Sequence, residues 1–131
     1  MLHAVDTNVL ARALVDDGSE QGKRATEFVR NNQIFVSDTV LLETEWVLRS
    51  QLGLQRSQVK NLMSRLISLE NVVFDNLTRT ASAMSGYLAG LDFADAMHLL
   101  SAEKCDDLVS FDRDFAKRAA KLPGSVPVRQ P

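Results

Sequence analysis

The feature that most constrains the fold is a regular alternation between short apolar segments and longer amphipathic ones. The short segments are nearly continuous in apolar, partly β-branched side chains, which is typical of strands buried on both faces. They are Leu2–Val5, Ile34–Val36, Val72–Phe74, Leu108–Val109 and, with a weaker pattern, Val126–Val128. Because Pro127 cannot donate a ladder hydrogen bond, we expect the last strand at the edge of a sheet.

The segments between these strands carry apolar residues at helical spacing. The predicted helices are Val9–Leu14, Gly22–Arg30, Val40–Leu48, Val59–Ile67, Leu77–Leu88, Phe93–Glu103 and Arg113–Ala120. The helix at Val40–Leu48 is apolar on nearly every side, so we expect it to be buried. Strands separated by helices indicate right-handed β-α-β crossovers and a parallel sheet covered on both faces, which is an α/β fold.

The composition fits one compact domain. The chain has 131 residues, of which 45% are hydrophobic and 24% charged. We therefore expect a single domain spanning residues 1–131. The net charge of −2 argues against a general nucleic-acid-binding protein, unless several acids are gathered in one place to hold a metal ion.

Cysteine content and apolar run length indicate the compartment. Cys105 is the only cysteine, which excludes an intrachain disulfide and a zinc site built from several cysteines. No apolar run approaches the ~20 residues of a membrane-spanning helix, and the first residues lack the pattern of a secretory signal. We expect a cytoplasmic protein that does not contact the membrane.

Carboxylates recur where a parallel α/β sheet binds its ligands, beyond the carboxyl ends of the strands. The acids at these positions are Asp6, Glu43, Asp92, Asp95, Asp112 and Asp114. A glycine-rich phosphate-binding loop of either common pattern does not occur in the sequence.

Each of these acids also has a purely structural interpretation. Asp6, Asp92 and Asp112 are at positions where a side chain could cap a helix, and Asp95 could complement a helix dipole. On a helical wheel Glu43 falls among apolar residues, where a glutamate is costly unless it is paired or bound to metal. Glu45 falls among apolar residues as well, so periodicity does not decide which glutamate matters.

The set of acids is more informative than its members. Carboxylates that converge without an obvious Lys or Arg partner repel one another, and a divalent cation removes that conflict. Ligands that offer only oxygen favour Mg²⁺ or Mn²⁺, and these acids are compatible with one or two ions. Such an ion can activate water and neutralise a phosphodiester.

Signalling domains and phosphatases that use an aspartate also combine an α/β fold with clustered acids. A phosphoacceptor domain needs a lysine carried by a central strand. The lysines here are Lys23, Lys60, Lys104, Lys117 and Lys121, and none of them lies in or just after such a strand. A phosphatase of the aspartyl-phosphate type needs D-x-D after the first strand, where this chain has D-T-N. Neither of these two classes therefore fits the chain.

Four motifs in order resemble a PIN domain, and more specifically the VapC toxins of bacterial toxin–antitoxin modules. They are V-D-T-N-V-L at Val5–Leu10, S-D-T-V-L-L-E-T-E-W-V-L-R at Ser37–Arg49, G-L-D-F-A-D-A-M-H-L at Gly90–Leu99 and S-F-D-R-D-F at Ser110–Phe115. D-T-N alone is weak, whereas the four together are specific. The resemblance extends over the whole chain.

Carried over by position, the resemblance makes Asp6, Glu43, Asp95 and Asp112 the four catalytic acids, of which the three aspartates hold the metal. Asn8 matches the supporting amide after the first aspartate. Ser110 is in a position where the family often has threonine, which keeps the hydroxyl. From its own spacing, Arg12 lies one helical turn after Asn8, where it could reach phosphate or remain a solvated surface residue.

The resemblance also implies architecture and partners. It implies a three-layer α/β/α fold whose five parallel strands follow the order 3-2-1-4-5. It further implies Mg²⁺- or Mn²⁺-dependent cleavage of single-stranded RNA, a VapB-type antitoxin, a homodimer within that complex, and DNA contact only through the antitoxin. The alternative is a PIN-like protein without a toxin role, either an RNA-processing nuclease or a catalytically silent binding module. The intact acids argue against the silent module.

Overall fold

The computed structural model describes residues 1–131 and divides the chain into two compact units, Met1–Asp75 and Asn76–Pro131. Each unit has its own strands, helices and buried residues. None of the helices is long and apolar enough to cross a membrane.

The first unit alternates strands and helices. Its elements are β1 (Leu2–Ala4), α1 (Thr7–Leu14), α2 (Glu20–Asn31), β2 (Gln33–Val36), α3 (Asp38–Trp46), a π-helical segment (Val47–Gln51), α4 (Arg56–Ser68) and β3 (Val72–Phe74). The strands form one parallel sheet in the order β1-β2-β3. Leu2 lies opposite Gln33, and Ile34 lies opposite Val72. The first strands of the predicted sheet are therefore confirmed as parallel neighbours.

Short polar side chains determine where the helices of this unit begin. Oγ of Ser19 accepts a 3.0 Å hydrogen bond from the backbone N–H of Gly22 at the start of α2. Oγ of Ser37 accepts one of 3.2 Å from Val40 at the start of α3. These bonds satisfy N–H groups that have no partner within the helix.

The core of the first unit forms where one stripe of each helix meets the apolar strands. Its fully buried side chains are Leu10, Ile34, Val36, Leu41, Leu48, Val59, Met63 and Leu66. Burial of this many large aliphatic side chains is the main stabilising contribution to the unit.

The prediction that the helix at Val40–Leu48 is buried all round is wrong. Leu41 and Leu48 are fully buried, but Glu43 is exposed and the exposed fraction of Trp46 is 48%. The reason is that α3 packs against α1 and leaves its other side open to solvent. Apolar composition alone therefore overestimated the burial of this helix.

The second unit contains three helices and two very short strands. Its elements are α5 (Leu77–Leu88), α6 (Phe93–Ser101), β4 (Leu108–Val109), α7 (Arg113–Ala119) and β5 (Val128–Arg129). The ring centroids of Tyr87 and Phe93 lie 5.3 Å apart at an interplanar angle of 68°. Both rings are fully buried, and this edge-to-face pair joins α5 to α6.

The last strand is shifted from the prediction at Val126–Val128. β4 and β5 pair in parallel through hydrogen bonds of 2.9 Å from Leu108 N–H to Pro127 C=O and from Ser110 N–H to Arg129 C=O. Pro127 contributes only its carbonyl because it has no N–H, so the regular strand begins after it.

The α/β class is confirmed, whereas a single five-stranded sheet is not. The hydrogen bonds form one ladder of β1, β2 and β3 and a separate ladder of β4 and β5. The neighbours 3-2-1 and 4-5 of the predicted order are present within these two sheets. A strand of two residues such as β4 offers few backbone groups, and the N–H groups of Leu108 and Ser110 are already bonded to the carbonyls of Pro127 and Arg129.

Candidate active site

Asp6 lies directly after β1 and starts α1. Its Oδ1 accepts a 2.8 Å hydrogen bond from the backbone N–H of Thr7, and the residue is exposed. The capping interpretation of Asp6 is thus confirmed. An N-cap that uses one carboxylate oxygen leaves the other oxygen accessible, so capping and ligand binding are compatible.

Asp6, Asn8 and Arg12 line one cavity of about 520 Å³ in the first unit. Asn8 is exposed, and Arg12 Nη1 lies 3.4 Å from Asp17 Oδ2. Two hydrogen bonds from Ser19, through its hydroxyl and its backbone N–H, lower the pKa of Asp17, and Arg12 lowers it further. Three of the residues proposed from the sequence are therefore neighbours here.

Glu43 and Glu45 have opposite environments on α3. Glu43 is exposed, while Glu45 is buried and its Oε2 accepts a 2.9 Å hydrogen bond from Nε of Arg49. The expectation that Glu43 lies among buried apolar side chains is therefore wrong. Glu45 has a structural ion pair, which leaves Glu43 as the glutamate that a ligand can reach.

The second unit gathers three carboxylates at the starts of two neighbouring helices. Asp92 caps α6 by accepting a 3.2 Å hydrogen bond from Asp95 N–H. Asp112 caps α7 by accepting one of 3.0 Å from Phe115 N–H. Asp95 lies in the first turn of α6, and α6 packs against α7. The capping roles predicted for Asp92 and Asp112 are confirmed.

The pKa of Asp95 shows how these acids affect one another. Partial burial raises the pKa of the Asp95 carboxyl, and the negative charges of Asp92 and Asp112 raise it further. His98 and Arg118 oppose this rise, with smaller effects. The ionised form of Asp95 is therefore destabilised by partial burial and by two neighbouring negative charges.

The expectation that these acids lack a basic neighbour needs a correction. Arg118 lies near enough to Asp95 to act on its charge. Its Nε donates a 3.3 Å hydrogen bond to the backbone carbonyl of Asp114, one turn earlier on α7. Arg118 compensates only part of this effect, because burial and the charges of Asp92 and Asp112 together still raise the pKa of Asp95.

Ser110 supports the loop that carries Asp112. Its Oγ accepts a 3.0 Å hydrogen bond from the backbone N–H of Asp112, immediately after β4. The hydroxyl that the sequence analysis singled out thus positions the backbone of an acid. A threonine would supply the same acceptor.

Sequence reasoning missed three residues that share the cavity with Asp6. They are Gln21, Arg24 and Phe28, and all three are on α2. Their spacing of three and four residues places them on one helix face, which is the signal that could have identified them. The pattern was inconspicuous because the buried residues of α2 lie on a different stripe.

In neither unit do three or more histidine, cysteine, aspartate or glutamate side chains meet closely enough to form a ready-made metal site. The donors that are present in the acid cluster are carboxylate oxygens, which suit hard cations.

Comparison with known families decides the classification. A family model described as PIN domain matches residues 4–121, which cover most of both units and include all four predicted acids. The chain belongs to the PIN domain family. No curated protein sequence shows significant similarity to it.

Membership in the PIN family indicates which chemistry proteins with this fold carry out. PIN domains are generally metal-dependent nucleases, so this chain has a nuclease fold of the hydrolase kind. In this PIN domain the charges of Asp92 and Asp112 act on Asp95 and raise its pKa, in addition to the effect of burial.

Proposed function

We propose that this PIN domain is a metal-dependent endoribonuclease that cleaves single-stranded RNA and acts as the VapC-type toxin of a type II toxin–antitoxin pair. The observation that supports it best is the match of residues 4–121 to the PIN domain family, with all four predicted acids inside that range. Burial and the charges of Asp92 and Asp112 raise the pKa of one of these acids, Asp95. A protein keeps such mutually repelling acids together at a cost in stability. Perturbed carboxylates of this kind are typical of functional sites.

The acid donors fit Mg²⁺ or Mn²⁺. Asp95 and Asp112 present carboxylate oxygens, and the charge on Asp95 is only partly compensated by His98 and Arg118. The proposal adds Asp6 as the third ligand, following the resemblance. A bound divalent cation would supply activation of water and stabilisation of charge on the phosphodiester.

In this proposal the remaining residues bind the RNA and orient the groups that react. The exposed carboxylate of Glu43 can accept a hydrogen bond from a water molecule or support the cation. The guanidinium of Arg12 can pair with a backbone phosphate once it leaves Asp17, since that exposed contact of 3.4 Å is weak. Asn8 offers an amide beside Asp6 in the same cavity.

The toxin role rests on the four motifs that resemble VapC proteins. A VapB-type antitoxin would block the acids with a basic side chain, because an arginine fork pairs with carboxylates bidentately. The resemblance implies a groove for its C-terminal tail that is formed partly by the helices at Val40–Leu48 and Val59–Leu69. A cavity of about 250 Å³ is lined by α1, α2 and α4, with Leu10, Leu14 and Leu66 among its walls and Arg30 and Arg65 beside them. The aliphatic walls suit the apolar face of an amphipathic segment. The proposed complex contains a toxin homodimer, and DNA contacts only the antitoxin.

The test is to map RNA ends after induced expression of this chain and of its Asp6→Ala variant. The proposal predicts growth arrest and new RNA ends with the unaltered chain only. Purified protein should cut single-stranded RNA with Mg²⁺ or Mn²⁺ and not with chelator. Cleavage without growth arrest would indicate an RNA-processing nuclease. Binding of RNA without any cleavage would indicate a silent binding module, and the enzyme proposal would be wrong.

A further inference from the structure

The cavity beside Asp6 is lined by basic, amide and aromatic side chains that the proposed catalytic step does not use. It lies at the end of β1, between α1 and α2, and has a volume of about 520 Å³. Asn8 and Arg12 come from one face of α1, and Gln21, Arg24 and Phe28 come from one face of α2. Cavities of this size accommodate small ligands or parts of larger ones.

The charge in this cavity is positive, although the whole chain has a net charge of −2. Two guanidinium groups, Arg12 and Arg24, line it with a single carboxylate, Asp6. Arg12 has the exposed partner Asp17, whereas Arg24 is exposed and makes no hydrogen bond or ion pair. Arginine pairs with phosphate oxygens through two parallel hydrogen bonds, and Arg24 has no other partner that would compete for such a contact.

Phe28 supplies an aromatic surface in the same cavity. Its exposed fraction is 39%, which is large for a phenylalanine. The ring of His3 lies against it at a centroid distance of 5.2 Å and an interplanar angle of 67°. A ring that is held by an edge-to-face neighbour and still open to solvent is suited to stack on a nucleobase.

We infer that this cavity is a nucleotide subsite for single-stranded RNA, in which Arg24 binds a backbone phosphate and Phe28 stacks on a base. The inference rests on the proposed function and deepens it by naming residues that hold the substrate beside Asp6. Stacking requires an unpaired base, which favours a single strand over a duplex. The two arginines would repel a basic protein segment, so the cavity fits RNA better than the basic tail of an antitoxin.

The phosphate contact is tested with two neighbouring cations of α2. Arg24→Gln removes the cation that lines the cavity, and Lys23→Gln removes an exposed cation that does not line it. The probe is a labelled single-stranded RNA oligonucleotide in chelator, where metal-dependent cleavage does not occur. We expect Arg24→Gln to weaken binding about five- to tenfold and to reduce the salt slope by about 0.7, the value for one phosphate contact on a single strand. Lys23→Gln should change affinity less than twofold.

The stacking contact is tested by the pair Phe28→Leu and Phe28→Tyr. Phe28→Leu keeps an apolar side chain and removes the ring, so RNA affinity should fall about tenfold, while Phe28→Tyr should bind as the unaltered chain does. An RNA that carries 2-aminopurine should change its fluorescence on binding, and Phe28→Leu should remove that change. Thermal melting of each variant shows whether it is folded. Arg24→Gln leaves the His3–Phe28 contact in place, so it tests the subsite even if a Phe28 variant does not fold.

The possible outcomes test the subsite inference and the nuclease proposal independently. If the chain cuts RNA while Arg24→Gln and Phe28→Leu bind RNA as the unaltered chain does, the subsite is wrong and the nuclease stands. If the chain binds RNA through Arg24 and Phe28 but cuts none with Mg²⁺ or Mn²⁺, the nuclease is wrong and the subsite stands. If Phe28→Leu loses binding of the antitoxin-tail peptide while Arg24→Gln and Phe28→Leu bind RNA as the unaltered chain does, the cavity serves a protein partner and the inference is overturned.

Discussion

Nε of Arg49 lies 2.9 Å from Oε2 of Glu45, one helical turn earlier, and this ion pair satisfies a buried carboxylate. The side chain of Glu45 is 4% exposed and that of Arg49 is 32% exposed. Glu43, two residues before Glu45, is open to solvent. Two glutamates on one helix therefore have different roles, one in the core and one available to a ligand.

The first prediction separates these two glutamates. Glu43→Gln should lower the rate of RNA cleavage and leave the melting temperature nearly unchanged, because the side chain is exposed. Glu45→Gln should lower the free energy of unfolding by about 1–3 kcal/mol, since it weakens a charged hydrogen bond to Arg49 in a buried place. Thermal melting and a cleavage assay on both variants measure the two effects.

The two variants are controls for each other. A folded Glu45→Gln protein without activity, beside a fully active Glu43→Gln protein, would show that the alignment of this segment is wrong. Loss of stability in both variants would contradict the exposed position of Glu43.

A second prediction follows from the raised pKa of Asp95. Its carboxyl binds protons more readily in the folded chain than in the unfolded chain, where the ordinary value is 3.8. The contribution of Asp95 to the free energy of unfolding therefore decreases as pH rises from about 3.8 through its raised folded pKa. Without metal, Asp95→Asn should be more stable than the unaltered chain near neutral pH, and the difference should disappear at acid pH.

Melting temperatures in chelator across this pH range give the test, with Asp114→Asn as the matched control. Asp114 is exposed in the first turn of α7, and its replacement should not stabilise the chain. Adding Mn²⁺ should raise the melting temperature of the unaltered chain more than that of Asp95→Asn, because the ion binds the folded state. An equal shift in both proteins would remove Asp95 from the proposed metal ligands.

The third prediction concerns the antitoxin. A short DNA-binding protein encoded beside this chain should carry an Arg or Lys in its C-terminal tail and suppress RNA cleavage. Replacing that basic residue by Ala should weaken the suppression, most clearly at low metal concentration, where the tail and the cation compete for the acids. Isothermal titration with the tail peptide checks the interaction. Full RNase activity at saturating peptide would indicate a nuclease without this partner.

Much of the fold could be predicted from local patterns. The segments Val72–Phe74, Leu108–Val109 and Leu77–Leu88 have the predicted bounds. Apolar runs and helical stripes are properties of a few neighbouring residues, which is why they are readable from one sequence. The caps at Asp92 and Asp112 were predictable for the same reason, since an Asp before an apolar helical stripe is a local signal.

The properties that depend on distant residues could not be predicted. Periodicity placed both Glu43 and Glu45 among apolar side chains, and only the packing of α3 against α1 and the pair with Arg49 distinguish them. The separate ladder of β4 and β5 depends on which short strands find a hydrogen-bonding partner. Arg24 and Phe28 become neighbours of Asp6 only when α2 packs against α1.

The most direct measurement of the central claim is the cleavage rate of single-stranded RNA by Asp95→Asn and Asp114→Asn in saturating Mn²⁺. Both variants remove one negative charge from the first turn of a helix in the second unit. We predict that Asp95→Asn cleaves RNA at least ~100-fold more slowly than the unaltered chain. The control Asp114→Asn should cleave RNA at nearly the rate of the unaltered chain. A folded Asp95→Asn protein that cleaves RNA at the rate of the unaltered chain would contradict the account.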